Sequence, residues 1–430
     1  MSFEKKAIFT CSYLSLLIYA LFYYLKTNYG FFEQYFIFFI DELDRYADFL
    51  KIIFSFNFIF TSEDLINLKV PEIWIYYNPY GIREGVSQTL VMTLPPLSII
   101  LIVFSAYIVK LIGFHYTFFY AVLIFALFAV FFKLFFNKIL ENKYLLLVLF
   151  SFPTLFLIDR GNLFAAVAGL CIFFITRNFL EDKGISNTML LCFIIACSIR
   201  PNYLIFGLMF LYHKDYKINI KNFIKISSTY LFLNFIFLQL ASLLLPNYNF
   251  SNFITMLREY EDSGIFFNPW NSSLQGALYN IYRYLFELQI YSENTDFWNF
   301  IDRVVNSPKL IYLIISIFGL FLVHIYIKSM QQRISKISVA VSLFCITAIT
   351  STPFADYHLI IFVFLFFLLV DFKYQMNLKN YNITILLVLL ILLPKLHAFA
   401  PNLNFSNLFN LLLLLLLFSI HYFSKISKVK

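Results

Sequence analysis

Charged residues are scarce in this chain. Asp, Glu, Lys and Arg make up 13% of its 430 residues, and 61% of the residues are hydrophobic, where soluble domains carry about 25% charged residues. That excludes an ordinary soluble globular protein, because the apolar surface exceeds what a soluble core could hide. The 11 glycines build no Gly-rich phosphate loop. No cytosolic segment is long enough to form a nucleotide-binding domain, so a nucleotide-driven reaction on the inner side is not expected. The five cysteines, Cys11, Cys171, Cys192, Cys197 and Cys345, all lie inside apolar blocks and show neither metal-ligand nor disulfide-framework spacing. They read as small buried packing residues.

What is present is a series of apolar blocks of bilayer-spanning length, with a mean hydropathy of +0.78. The fold class this predicts is an all-α polytopic membrane protein. Residues 7 to 25 follow Lys5 and Lys6 as a signal peptide would. The run is long and no small-x-small cleavage site follows it, so it reads as a retained first span. The net charge of +8 could point to nucleic acid. The bases concentrate at span ends, however, where the positive-inside rule accounts for them, and no nucleic-acid partner is expected.

Two long hydrophilic stretches, roughly 27 to 87 and 246 to 308, are rich in Asp and Glu. Both read as extracytoplasmic. Short basic segments, 133 to 143, 177 to 183, 214 to 225, 328 to 336, 373 to 379 and 425 to 430, mark the other side. Between these marks lie candidate spans at 7–25, 117–133, 144–158, 163–180, 187–199, 202–213, 225–245, 309–327, 337–350, 359–371, 381–394 and 406–424. They predict twelve crossings of the cytoplasmic membrane, one integral domain over 1–430, and both termini in the cytoplasm. The apolar run 88–112 contains Pro95 and Pro96 and would break this alternation. It is expected to be a re-entrant or interfacial piece packed on protein.

Several later spans are only 13 to 15 residues long, short of the roughly 20 a simple crossing needs. They meet at three polar breaks, LIDRGN (157–162), SIRPN (198–202) and TPFADYH (352–358), all predicted on the face that carries the acidic loops. An arginine at membrane depth costs about 2.5–3.5 kcal/mol, so Arg160 and Arg200 must be paired or near water. One such arginine would read as a snorkelling interface residue, with Asp159 as a local partner. Two of them, followed by Gly161-Asn162 and Pro201-Asn202, with Asp356 and His358 on the same face, point instead to an anion site. Guanidinium groups fork onto phosphate oxygens, and the helix after Gly161 offers its N-terminal amides. Asp41, Asp44 and Asp48 share one helical face by their spacing, which suits a metal cluster, a general base or simple solvation.

In order along the chain stand ADF (47–49), NPYG (78–81), LPPL (94–97), Arg160-Gly161-Asn162, Arg200-Pro201, NSSL (271–274) and DYHLIIF (356–362). This series resembles the polyprenyl-phosphate-sugar-dependent glycosyltransferases of the GT-C fold, particularly glycosyltransferase family 87 and the GPI mannosyltransferase catalytic subunit. The resemblance implies a GT-C-like bundle that moves a mannose-like hexose or a pentose from a polyprenyl-phosphate donor to a lipid or glycan acceptor, with inversion, at the extracytoplasmic face. It implies Asp48 as the base, with Asp44 and then Asp41 behind it. Arg160, Arg200 and Asn162 are then expected to hold the donor phosphate, and Asn271, Asp356 and His358 to orient the substrate. The cluster lacks a clean Asp-x-Asp, so it admits a divalent metal without requiring one. Arg200 stands where the family often has Lys. The alternative is a lipid-linked-sugar flippase or other polytopic transporter, which also uses short broken helices, although no inverted repeat is visible in the sequence.

Overall fold

A computed structural model describes residues 3–29, 95–112, 151–160, 162–211, 220–244, 248–255, 273–274, 276–278, 308–331, 335–351, 356–394 and 405–423. Among these residues the chain is all α, with no strand. The principal helices are α1 (Phe3–Tyr29), α2 (Pro96–Ile112), α3 (Phe152–Arg160), α4 (Leu163–Leu180), α5 (Asn187–Ile199), α6 (Ile220–Leu244), α7 (Pro308–Gln331), α8 (Lys336–Thr350), α9 (Ile360–Asp371), α10 (Leu378–Leu392) and α11 (Phe405–Phe423). The expected span 117–133 and residues 144–150 of the span 144–158 lie outside the described residues. So does most of both long hydrophilic stretches.

Polar residues start these helices where the sequence offers them. Ser186 Oγ accepts from Met189 N, Ser335 Oγ from Ser338 N, and Asn377 Oδ1 from Asn380 N, each satisfying a first-turn amide that has no partner within the helix. One segment departs from expectation and another is described only in part. Pro96 is the first residue of α2, where its missing N–H costs nothing, and residues 88–94 of the run lie outside the described residues. Residues 96–112 of the expected re-entrant piece are therefore one continuous helix, packed on α6 and α5. The expected span 202–213 is instead a seven-residue 3-10 helix, Pro201–Gly207, followed by one α-turn at Leu208–Leu211.

At the centre lies α9. Its sequence, IIFVFLFFLLVD, is apolar on every side, the pattern of a helix with no solvent face, and each side chain from Ile360 to Leu369 is fully buried. It packs against α4, α10, α8 and α3. The approach to α4 is close because Gly169 has no side chain. A Cβ there would stand 2.7 Å from Phe364 Cε2. A second fastener joins α8, α10 and α11. His421, buried, bonds Ser338 Oγ through Nδ1 at 3.0 Å and Thr384 Oγ1 through Nε2 at 2.9 Å.

The chain reverses direction so that one end of the bundle collects charged residues. Arg177 Nη2 lies 4.0 Å from Asp371 Oδ2, Arg177 Nε donates to Glu181 at 2.9 Å, and Lys336 pairs with Asp182. Lys373 reaches Glu4 at 3.8 Å. Partial burial works to raise the Glu181 carboxyl, but hydrogen bonds from Lys183 and Arg177 outweigh it and hold the acid below its ordinary range. Asp182 takes the left-handed conformation, φ 59°, and Lys183 N closes onto Asn178 O at 3.0 Å, the closure that ends a helix by turning it. Three of the basic segments read from the sequence, around Arg177–Lys183, Lys336 and Lys373, thus meet at this end.

The outer helices are different. Leu17 of α1, Leu231 and Phe232 of α6, and Leu320 of α7 are 64–71% exposed. By length and composition, the helices over Phe3–Leu25 and Ile224–Leu244 are apolar enough to cross a membrane. The other apolar helices span 10–17 residues.

The α4–α9 contact predicts an asymmetry between two glycines. Gly169→Ala should lower stability by about 1–3 kcal/mol through overpacking. Gly184→Ala, where a Cβ meets nothing within 4 Å, should leave it unchanged. Thermal melts of the purified variants in detergent measure both.

Candidate functional site

The opposite end of the bundle is built from the three polar breaks. The first step is local. Arg200 precedes Pro201, and the proline ring disfavours α conformation in the residue before it. Arg200 is accordingly extended, φ −140°, ψ 96°, and it ends α5. Its side chain is turned off the helix line, and Nη2 meets His358 Nε2.

His358 lies in a 3-10 helix, Asp356–Leu359, that leads directly into α9. It is 2% exposed. A guanidinium can only donate, so Nε2 is the acceptor and the imidazole proton sits on Nδ1. His358 falls between the expected spans 337–350 and 359–371. Burial first, and then the Arg200 charge, push its imidazole well below the ordinary value. The ring is neutral.

The first break closes on the same place. α3 ends at Arg160 and packs against the Asp356–Leu359 turn, α4 and α9. Asn162 N bonds back to Leu157 O at 3.1 Å, a six-residue closure at the end of α3. Asn162 then caps α4, its Oδ1 accepting from Ala165 N at 3.2 Å. Of the two polar groups on this side chain, the oxygen is thereby committed to the helix. The group suited to an anion is the amide NH2. Asp356 opens its 3-10 turn by its backbone.

The structure therefore brings the end of α3, the start of α4 and the Asp356–Leu359 turn together at the start of α9, and joins Arg200 to His358 there. Asp41, Asp44, Asp48 and Asn271 lie outside the described residues. From the NSSL element, Ser273 and Leu274 are described, and Ser273 is fully buried. Among the described residues no three His, Cys, Asp or Glu side chains are grouped as a metal site would need.

Two residues near this end escaped the sequence reading. Asn234, midway along α6, donates through Nδ2 to Ser198 Oγ at 2.9 Å, inside the SIRPN break. An amide in the apolar run LFLNFIFL was the available signal. Tyr203 is 2% exposed, one turn after Arg200, and its hydroxyl meets no hydrogen-bond partner among the described residues. Its ring sits edge-on to Phe206, 6.0 Å between centroids, and Phe206 in turn meets Phe344 of α8 at 5.1 Å. That aromatic chain fixes the 3-10 helix to the core.

Comparison with protein-family models, with curated proteins and with solved structures finds no match to this chain.

Two outcomes follow from this geometry. Asn162→Ala should cost about 1 kcal/mol through loss of the cap, while Asn162→Asp keeps an acceptor there and should melt like the wild type. For His358 the sign is fixed by a depressed folded value. Its contribution is complete above about pH 6.5 and declines as pH falls below that, because the unfolded chain then binds the extra proton. The melting temperature of wild type minus that of His358→Gln should shrink from about pH 7 to about pH 5.

Proposed function

We propose that this chain is an inverting glycosyltransferase of the cytoplasmic membrane that uses a polyprenyl-phosphate-linked sugar. Both termini face the cytoplasm and the active site opens at the extracytoplasmic face. The observation that carries the reading is the convergence of two arginine-bearing breaks and the Asp356–Leu359 turn at the start of one buried helix. Such an end offers cationic donors beside helix N-termini, the combination that binds phosphate. The exposed apolar faces of α1, α6 and α7 suit contact with lipid, and the charged end that holds Arg177, Lys336 and Lys373 suits the cytoplasmic side.

In this reading the acceptor hydroxyl attacks the anomeric carbon from the side opposite the phosphate. Asp48 takes the hydroxyl proton, a new C–O bond forms, and the bond between the sugar and the phosphate oxygen breaks. The leaving polyprenyl phosphate gains charge, and Arg160 and Arg200 stabilise it there, an interaction stronger in the transition state than in the ground state. Asn162, Asn271 and Asp356 orient sugar and phosphate. Asp44 and Asp41 stand next in line as base, and the acidic cluster could hold a divalent metal. The apolar LPPL piece takes the lipid tail.

The broken helix at Pro201–Gly207 also fits a flippase or transporter. Incubation of the purified protein with radiolabelled polyprenyl-phosphate sugars and a membrane extract separates the two. Transfer of label to a new product supports the enzyme, and translocation without transfer replaces it with the flippase. Asp48→Asn should abolish transfer and leave the protein folded. Arg200→Ala should weaken donor use about tenfold to a hundredfold, the range for a hydrogen bond to a charged group. Donor kinetics unchanged in Arg200→Ala would remove the phosphate role.

A further inference from the structure

The same contact points to a division of labour that the resemblance does not contain. We propose that His358 is a positioning residue that fixes the Arg200 guanidinium, and that it does not itself touch sugar or phosphate. The inference rests on the reading of Arg200 as a phosphate ligand.

Four observations carry it. His358 Nε2, the atom a substrate-orienting imidazole would present, is occupied by Arg200 Nη2. His358 is 2% exposed, whereas Arg200 is only partly buried, so the arginine is the member of the pair a ligand can reach. Both backbones are constrained: Arg200 by the proline that follows it, His358 by the 3-10 turn that runs into fully buried α9. Finally, a guanidinium has five N–H donors in a fixed fork, so one bond to His358 orients the others.

The choice of partner has a chemical consequence. An aspartate or glutamate at 358 would hold the arginine equally well but would cancel its charge. A neutral imidazole accepts the hydrogen bond and leaves the full positive charge for an anion. This explains why the arginine is met here by a histidine instead of by an opposite charge.

The test uses full-length protein in detergent. Binding of a short-chain prenyl monophosphate is followed by calorimetry in the wild type and in His358→Leu, His358→Gln and His358→Glu. His358→Leu, which has no acceptor, should bind about tenfold more weakly. His358→Gln, whose amide oxygen can take the Nε2 position, should restore most of the affinity. His358→Glu should melt at least as high as His358→Gln and still bind weakly, because it neutralises the arginine. In an Arg200→Ala background, His358→Leu should cause no further loss. An additional loss there, or His358→Glu binding as well as wild type, would overturn the proposal.

A second measurement does not depend on phosphate binding. The protein has six histidines. With 15N-labelled histidine, the resonances absent from His358→Gln identify the ring at 358. They should report a neutral imidazole with its proton on Nδ1, and they should move in Arg200→Ala. A proton on Nε2, or no response to Arg200→Ala, would overturn the pairing. If the wild type binds no prenyl phosphate, the phosphate reading of Arg200 fails, and the ring resonances still decide whether His358 holds the arginine.

Discussion

The burial of α9 is the constraint on which the remaining features depend. Ten consecutive side chains, Ile360 to Leu369, have no contact with the exterior, so nothing polar can stand along that length without an internal partner. Polar chemistry is displaced to the two ends of the helix. Its twelve residues separate those ends by about 18 Å. At one end His358 meets Arg200, and at the other Asp371 lies within reach of Arg177. α4 runs alongside in the same direction, from Asn162 at the first end to Arg177 at the second, and Gly169 allows the two helices to close.

In a lipid environment this arrangement would draw little on the hydrophobic effect, because lipid tails are as apolar as leucine. Its stability would come from fitted contact and a few internal hydrogen bonds. The close approach at Gly169, the Phe206–Phe344 pair and the Ser338–His421–Thr384 chain are contacts of that kind. Each joins helices distant in sequence. Removing one loosens an interface that water exclusion would not hold shut.

Much of this was legible from residue order. The short helices that start after Ser186, Ser335 and Asn377 lie close to the expected spans 187–199, 337–350 and 381–394, and the polar breaks fall where the apolar runs stop. Pro201 predicted the interruption after α5, though not that a 3-10 helix would follow. The prolines at 95 and 96 were read as breakers, and a helix does start at Pro96, a place where proline is at home. Side-chain partnerships were less accessible. Asn162 was read as a phosphate ligand, while its oxygen caps α4, because capping and anion binding ask for the same residue at the same place. His358 was read as facing substrate, since nothing local connects it with an arginine 158 positions earlier. The acidic cluster, NPYG and Asn271 lie outside the described residues.

That separation of 158 residues also imposes an order in time. At a synthesis rate of roughly 5–20 residues per second, about 8–32 s pass between the emergence of Arg200 and of His358. Throughout that interval the arginine has to be solvated by something other than its final partner. Water and lipid headgroups can do this at a helix end and cannot do it at mid-depth. In the membrane reading proposed above, the place of Arg200 at the terminus of α5, just before Pro201, gives the nascent chain a tolerable waiting position until His358 is made and the pair can close.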